Sequence, residues 1–214
     1  MNNVIGIVVS YLFVTFILVS GKLMQRFGEE ASRKYAHIML CNWWFIAMYF
    51  FDNVWAASIV PATFIVINFI SYKFNLIKSM ERTNQDGLGT VYYAISLLVL
   101  TILSYCVFHN PEVGLVGVLV MGYADGFASV MGLNIKSKKF KIGKAQKSIA
   151  GCIAMATFTF LIFSIFLAVN AVAFWAFKAI VIAMVLTIIE AVSIKGTDNL
   201  TVPILATLIA AMCI

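Results

Sequence analysis

Long apolar runs alternate with short polar or charged segments along almost the whole chain. A bilayer core about 30 Å thick is crossed by a helix of about 20 apolar residues, so each run predicts a membrane-spanning helix. The short polar and charged segments divide the chain into eight such spans, several of them short. The predicted spans cover about residues 4–20, 37–51, 54–70, 91–108, 113–132, 149–168, 174–194 and 200–214.

Two of these assignments depend on length as well as on composition. The apolar stretch 149–194 is too long for one helix, so the chain is expected to fold back near Asn170. The last span is among the shortest of the eight. Because no linker is long enough to separate domains, the pattern predicts an all-α, polytopic membrane protein in which residues 1–214 form a single domain.

The composition supports a membrane protein and argues against nucleic acid as a partner. The chain is 63% hydrophobic and 11% charged, with a mean hydropathy of +1.00, whereas soluble domains are about 25% charged. The net charge of +6 is typical of nucleic-acid binding. However, the basic residues lie in short loops between apolar runs, where the positive-inside rule explains them, and no soluble surface is large enough to hold a duplex. We therefore expect no nucleic-acid partner.

The basic residues also predict an orientation. Fourteen of the 15 Lys and Arg residues fall in alternate loops, while the intervening loops carry none. Lys178 is the exception, and it lies beside aromatic residues, as an interfacial anchor does. The positive-inside rule then places both termini on the extracytoplasmic side of the cell membrane and the working face on the cytoplasmic side.

Asp125 is the strongest single candidate for chemistry. A carboxylate inside a transmembrane span costs about 2.5 to 3.5 kcal/mol by insertion scales, so it usually faces a partner, a metal ion or a water-filled cavity. A structural ion pair with a nearby lysine is the alternative. The same reasoning applies more weakly to Glu190, because Lys195 can form an ion pair with it at the membrane interface. Gly122 and Gly126 form a small-residue face beside Asp125, against which a helix of this chain or of another copy can pack.

The loop after Asp125 is rich in lysine and leads into the next helix. Gly143 and Lys144 precede Lys147 and Ser148 at the helix start, and Gly151 lies one turn further on. A P-loop is excluded because its full pattern and the preceding strand are missing. What remains is a generic anion site in which a basic loop meets a helix N-terminus, although topology alone explains part of its charge.

Polar groups recur at the same predicted membrane face in other loops. Arg33 and His37 are spaced to share one face of a helix, with Lys34 between them; alternatively, the two cations only set the topology. The segment 81–90 contains Gly87 and Gly89 before a helix, a weak signal for anion binding. Before the last span, Asp198 and Asn199 either cap the helix or ligate a hard cation.

Together these motifs resemble the polyprenol kinase family, which includes dolichol, phytol and farnesol kinases and the CTP-dependent diacylglycerol kinase. The family is distantly similar to phosphatidate cytidylyltransferase. The resemblance runs from about Arg33 to Pro203, and its most distinctive part is Asp-Asn-Leu-Thr-Val-Pro at 198–203. One departure is Ala145-Gln146 before Lys147, where a more polar approach is expected.

The resemblance implies Mg²⁺-dependent transfer of a phosphoryl group from CTP, or from ATP, to the hydroxyl of a membrane lipid, either an isoprenoid alcohol or diacylglycerol. It implies metal binding by Asp125 and Asp198, and neutralisation of the transferring group by Arg33 and Lys34. Either His37 or Glu190 accepts the alcohol proton. The residues implied in nucleotide binding are Gly143, Lys144, Lys147, Ser148 and Asn199.

Two other functions share these features. A cytidylyltransferase, in which phosphatidate attacks CTP and pyrophosphate leaves, uses the same cation and lysines. A membrane transporter uses intramembrane carboxylates such as Asp125 and Glu190 as solute sites. The polar residues cluster at one face and show no path through the membrane, which favours the kinase. The oligomeric state stays open.

Overall fold

Long apolar helices make up most of the computed structural model, which describes residues 2–74, 88–142, 145–193 and 196–214. Within these ranges, six helices are long and apolar enough to cross a membrane. They are Asn3–Phe27, Val54–Phe74, Gly89–Val107, Pro111–Asn134, Ile149–Val169 and Trp175–Val192. Each overlaps a predicted span, and the expected fold-back near Asn170 is present, so the polytopic helical architecture is confirmed.

The described elements follow one another with short connections. The helices are α1 (Asn3–Met24), α2 (Glu29–Leu40), α3 (Trp43–Phe50), α4 (Val54–Phe74), α5 (Gly89–Ile102), α6 (Pro111–Leu119), α7 (Gly126–Asn134), α8 (Ile149–Val169), α9 (Trp175–Val192) and α10 (Asp198–Cys213), and the strands are β1 (Lys139–Ile142) and β2 (Ala145–Ser148). Two π-helical segments interrupt the α-helical pattern. Leu103–Val107 extends α5, and Val120–Asp125 joins α6 to α7 into one continuous helix.

The helix formed by α6, the π segment and α7 lies at the centre of the protein. In the most apolar 18-residue stretch of this helix, 67% of the residues are buried inside the structure. The corresponding share is 28 to 44% in the other five long helices. One apolar cluster packs on it from α8, α9 and α10, including Met155, Phe163 and Leu186. A second packs on it from α3, α4 and α5, including Trp43 and Leu100. The element that carries Asp125 is therefore held on both sides.

The second predicted span, residues 37–51, is wrong as a single helix. The structure has instead α2, which begins earlier at Glu29, and the eight-residue α3, with a break at Cys41 and Asn42. At the break, the Asn42 amide donates to the Met39 carbonyl at 3.1 Å, while its Oδ1 accepts the Tyr123 hydroxyl at 2.8 Å. Side chains that bond nearby carbonyls in this way compete with the helix backbone.

The expectation of a wholly α-helical chain also misses a hairpin in the lysine-rich loop. Strands β1 and β2 pair antiparallel, with Phe140 opposite Lys147 and Lys139 opposite Ser148. Because successive side chains of a strand point to opposite faces, Gln146 is exposed while Lys147 is directed inward. The hairpin therefore orients one lysine of this loop toward the helix bundle.

The eighth predicted span is helical but short. Helix α10 has 16 residues, about 24 Å at 1.5 Å per residue. It is amply buried against α5 and α6, since Val202, Ala206 and Ala210 are almost inaccessible. By length alone it does not qualify as a crossing helix.

The small-residue face of Gly122 and Gly126 packs within this chain. A Cβ atom at Gly122 would lie 2.3 Å from the Cβ of Cys41, and one at Gly126 would lie 2.5 Å from Cγ1 of Ile38. Both contacts bring the end of α2 and the following break directly onto the helix that carries Asp125. The close approach is possible only without side chains at these positions.

We expect Gly122→Ala to lower the unfolding midpoint in detergent, because overpacking of this kind costs about 1 to 3 kcal/mol. Adding Cys41→Gly in the same chain should recover most of the loss, since it removes the atom that clashes. The matched control is Gly21→Ala in α1, where the added Cβ meets only Ser32 Oγ at an ordinary 3.6 Å. Equal midpoints for Gly122→Ala and Gly21→Ala would contradict the close packing.

Candidate active site

Three acidic side chains from distant parts of the chain meet at one end of the bundle. They are Asp125 at the end of the π segment, Glu190 in the last turn of α9 and Asp198 at the start of α10. Each offers one carboxylate oxygen, and the three oxygens lie within 4.8 Å of one another. Asp125 is 8% exposed and Glu190 is 5% exposed. We call Asp125, Glu190 and Asp198 the carboxylate cluster.

The local backbone explains why these acids converge. Asp125 closes a π-helical segment, and such segments often mark functional positions because they change the direction of side chains along a helix. The start of α10 is brought close to the start of α5 by two glycines. Gly196 has φ +79°, and a Cβ atom there would lie 2.9 Å from Cα of Gly89. This contact positions Asp198 two residues later.

Lys147 reaches the carboxylate cluster from strand β2. Its Nζ donates to Oε1 of Glu190 in a close ion pair and lies 3.9 Å from Oδ2 of Asp198. Burial acts to lower the pKa of Lys147, but the Glu190 carboxylate outweighs it and raises the pKa above its usual value, with help from Asp198 and Asp125. The ammonium group therefore stays charged and offsets part of the negative charge of the cluster.

His37 borders the cluster from helix α2. Its Nε2 lies 2.9 Å from the carbonyl oxygen of Met121, in the π segment, and 3.4 Å from Oδ2 of Asp125. Because a carbonyl only accepts hydrogen bonds, Nε2 carries the proton in this arrangement. The ring of Tyr93 packs edge-on against the imidazole, with centroids 4.9 Å apart. The other ring nitrogen is therefore the one that can accept a proton.

The two cations before His37 have different surroundings. Arg33 donates to both carboxylate oxygens of Glu30, one turn earlier in α2. Lys34 lies within electrostatic range of Asp125, whose carboxylate attracts its ammonium group. Glu30 was not a candidate in the sequence, although its spacing of three residues from Arg33 is typical of helical ion pairs. Lys34 is thus placed near the cluster.

The start of α8 differs from the expected anion site. Its first amides already have protein partners. The Ile149 N–H donates to the Lys138 carbonyl at 3.1 Å, that of Ala150 to Ser137 Oγ at 3.2 Å, and that of Gly151 to Ser148 Oγ at 3.1 Å. Ser148 is the N-cap and is buried. Phosphate binding at this helix start would therefore depend on side chains, of which Lys147 is the one shown; Gly143 and Lys144 lie outside the described residues.

Asn199 links the cluster to helix α5. Its side-chain amide donates to the Gly89 carbonyl at 3.0 Å. Its backbone carbonyl accepts a hydrogen bond from the Ser96 hydroxyl. Its Oδ1 is buried and has no hydrogen-bond partner among the described residues. A buried acceptor of this kind points to a missing donor or cation. Gly89, one of the two glycines of segment 81–90, therefore lies beside Asn199. Residues 81–87, which include Gly87, lie outside the described residues.

The residues present fit a divalent cation with hard ligands. Mg²⁺ prefers carboxylate oxygens at 2.0–2.1 Å, so its ligand oxygens lie within about 4 Å of one another, close to the spacing found here. The cluster supplies three such oxygens, and the unpartnered Oδ1 of Asn199 adds a neutral one nearby. The sequence placed Asp125 and Asp198 together as metal ligands. It did not place Glu190 with them, and no local signal in the sequence gives that proximity.

Comparisons with known proteins identify relatives. No model of a protein family matches the chain, and no solved structure matches it significantly. The phytol kinase of Synechocystis sp. is 27% identical over 220 residues, which cover 96% of this chain and 89% of the relative. A probable chloroplastic phytol kinase of Triticum aestivum is 24% identical over 215 residues, covering 90% of this chain and 69% of the relative.

Both relatives align over most of this chain. Matches of this extent confirm the resemblance stated from the motifs. The chain is thus similar to phytol kinases over most of its length.

Proposed function

We propose that this protein transfers the terminal phosphoryl group of CTP to the hydroxyl of an isoprenoid alcohol such as phytol, with Mg²⁺ as cofactor. The observation that carries the proposal is the carboxylate cluster with Lys147 and His37 at one end of a bundle of long apolar helices. A lipid hydroxyl and a water-soluble nucleotide can meet only where such a site lies near the membrane surface. The two phytol kinase relatives support the acceptor class.

The proposed topology puts this end of the bundle on the cytoplasmic side of the cell membrane. Both termini are then extracytoplasmic, and the α2–α3 pair and α10 complete eight crossings. In this arrangement Lys147, Glu190 and Asp198 all lie at helix ends or in a loop on the side that carries fourteen of the 15 Lys and Arg residues. Agreement between the charge bias and the position of the cluster supports this orientation.

The roles of the chain's residues follow from their surroundings. Asp125, Glu190 and Asp198 hold the cation, which neutralises charge on the phosphate oxygens when it is bound. Lys147 is placed to contact the same phosphates, and Lys34 adds positive charge near Asp125. Gly143, Lys144, Ser148 and Asn199 remain nucleotide-binding candidates from the family resemblance, and Arg33 a candidate for charge neutralisation. Catalysis of phosphoryl transfer is mostly such positioning and charge neutralisation.

For the alcohol proton we favour His37 over Glu190. Glu190 is already paired with Lys147 and belongs to the carboxylate cluster. His37 holds one ring nitrogen on the Met121 carbonyl, which fixes the ring and leaves the other nitrogen as the acceptor. The imidazole also lies beside Asp125, with its Nε2 3.4 Å from Oδ2 of the carboxylate.

The test uses the purified protein in lipid with Mg²⁺ and γ-labelled CTP or ATP. Phytol, farnesol, a long polyprenol and diacylglycerol are offered separately as acceptors. We expect label in the lipid fraction with an isoprenoid alcohol and CTP. Pyrophosphate release from CTP and phosphatidate, without labelled alcohol, would identify a cytidylyltransferase instead. Inactivity in both assays would contradict both enzymes and favour transport.

A further inference from the structure

An apolar groove lies beside the site, between α1, α4 and α5. Leu18 lines it from α1, Val60 and Phe64 from α4, and Leu97 from α5. Ile67, at its edge, is 39% exposed, so the groove opens to the side of the protein that faces lipid.

One wall of the groove leads directly to the reacting end. Tyr93 lines the groove, and its ring packs against His37 with centroids 4.9 Å apart. The Tyr93 hydroxyl also donates to the His37 carbonyl at 3.2 Å. Leu40, about one turn after His37 in α2, lines the groove as well. A molecule in the groove therefore lies one side-chain layer away from the imidazole.

The chemistry of the walls selects a hydrocarbon occupant. Three lining residues carry polar groups, and each is already bonded inside the protein. Asn68 Nδ2 donates to the Thr90 carbonyl at 3.1 Å, Trp43 Nε1 to Ser10 Oγ at 2.9 Å, and the Tyr93 hydroxyl to His37. An occupant thus meets apolar surface, which stabilises it in proportion to the area removed from water.

The groove also has the right direction for a chain whose hydroxyl is at the site. Along α4 it runs from Asn68 to Val60, a distance of about 12 Å at 1.5 Å per residue. Asn68 is bonded to the start of α5, next to Gly89 and hence to the end of the bundle that carries the carboxylate cluster. Val60 lies deeper in the apolar part of the helix.

The geometry points to this groove as the binding site for the isoprenoid tail of the acceptor, an inference that rests on the proposed function. The portion of the tail nearest the hydroxyl lies along α4 and α5, with Tyr93 between it and His37. The rest of the tail leaves through the opening beside Ile67 into the bilayer. The groove then determines which lipid alcohols are used, while the carboxylate cluster acts on any hydroxyl that reaches it.

A pair of leucines in α1 tests the assignment. Leu18→Trp fills the groove, whereas the control Leu12→Trp adds the same bulk at a position that is 64% exposed and outside it. We expect Leu18→Trp to raise KM for farnesol and phytol about tenfold or more, since one methylene of lost contact alone is worth about that much. The KM for CTP should change less than twofold, because the nucleotide meets the carboxylate cluster and not the groove. Equal effects on KM for the alcohol and for CTP, or equal effects of both variants, would overturn the assignment.

Photocrosslinking gives a readout that does not need turnover. A farnesol analogue with a diazirine at its tail end should label peptides of α1 and α4, and excess phytol but not excess phosphatidylcholine should prevent it. Label spread over α8 and α9 as well, or label displaced equally by phosphatidylcholine, would identify the groove as an ordinary lipid-facing surface. If no alcohol is phosphorylated but phytol-sensitive labelling of α1 and α4 persists, the proposed reaction fails while the tail site stands.

Discussion

Replacing Asp125 by asparagine is expected to lower the rate of phosphoryl transfer by about a hundredfold to a thousandfold. A loss of this size is usual when one group that stabilises the charge of the transition state is removed. Asparagine keeps the size of the side chain and removes its negative charge. The carboxylate cluster then has two acids in place of three, and its affinity for Mg²⁺ falls because ligand charge dominates binding of hard cations. Turnover with labelled CTP and an isoprenoid alcohol measures the effect.

The same variant should remain folded. Removing the Asp125 charge relieves its repulsion with Glu190 and Asp198, which lie within 4.8 Å, while it weakens the attraction for Lys34. We therefore expect an unfolding midpoint close to that of the unaltered protein in EDTA, and a smaller rise when Mg²⁺ is added. The control is Glu112→Gln, which alters an exposed acid at the other end of the same long helix. Full activity, or an unchanged response to Mg²⁺, would refute Asp125 as a ligand.

Lys147→Met is expected to produce the second large effect, with loss of turnover and a stability that depends strongly on Mg²⁺. Without the ammonium group, Glu190 and Asp198 lose the cation that lies between them. Removing one member of a buried ion pair costs about 3 to 5 kcal/mol because the other is left uncompensated. A divalent cation can supply the missing positive charge for stability, but it cannot replace a group that contacts the nucleotide.

Thermal unfolding in detergent, with EDTA and with Mg²⁺, separates these contributions. The midpoint of Lys147→Met should lie well below that of the unaltered protein in EDTA and rise more steeply with added Mg²⁺. The control is Lys141→Met, an exposed lysine of the same hairpin that faces Gln146 across the strands. If both lysine variants respond to Mg²⁺ alike, Lys147 does not compensate the carboxylate cluster. If Lys147→Met retains full turnover, its role at the phosphates is refuted.

Most of the helical architecture could be predicted because the bilayer imposes a length on apolar runs. Spans one and three to seven follow from that requirement alone. Span two failed because its boundary is decided by side-chain hydrogen bonds of Cys41 and Asn42, which take carbonyls from the helix backbone. The π segment that ends at Asp125 is equally hidden, since its residues are as apolar as those of an ordinary helix.

The sequence identified individual residues of the site but not how they lie relative to one another. Asp125 was identified by its cost in an apolar helix, and Asp198 by the motif around it. Their proximity to Glu190 depends on how three helix ends converge, which spacing along the chain does not reveal. Likewise, nothing in the sequence indicates that Lys147 would pair with Glu190, because the β1–β2 hairpin that turns Lys147 inward has no clear pattern. Lys195, the partner expected for Glu190, lies outside the described residues. The apolar groove is invisible for the same reason.

The burial of the central helix has a consequence for the charge that it carries. Apolar clusters pack on this helix from both sides, so protein rather than lipid surrounds it. A carboxylate is costly against hydrocarbon but is tolerated where it faces the interior of a bundle and meets charged partners. The chain can therefore hold Asp125 within an apolar helix without exposing it to lipid.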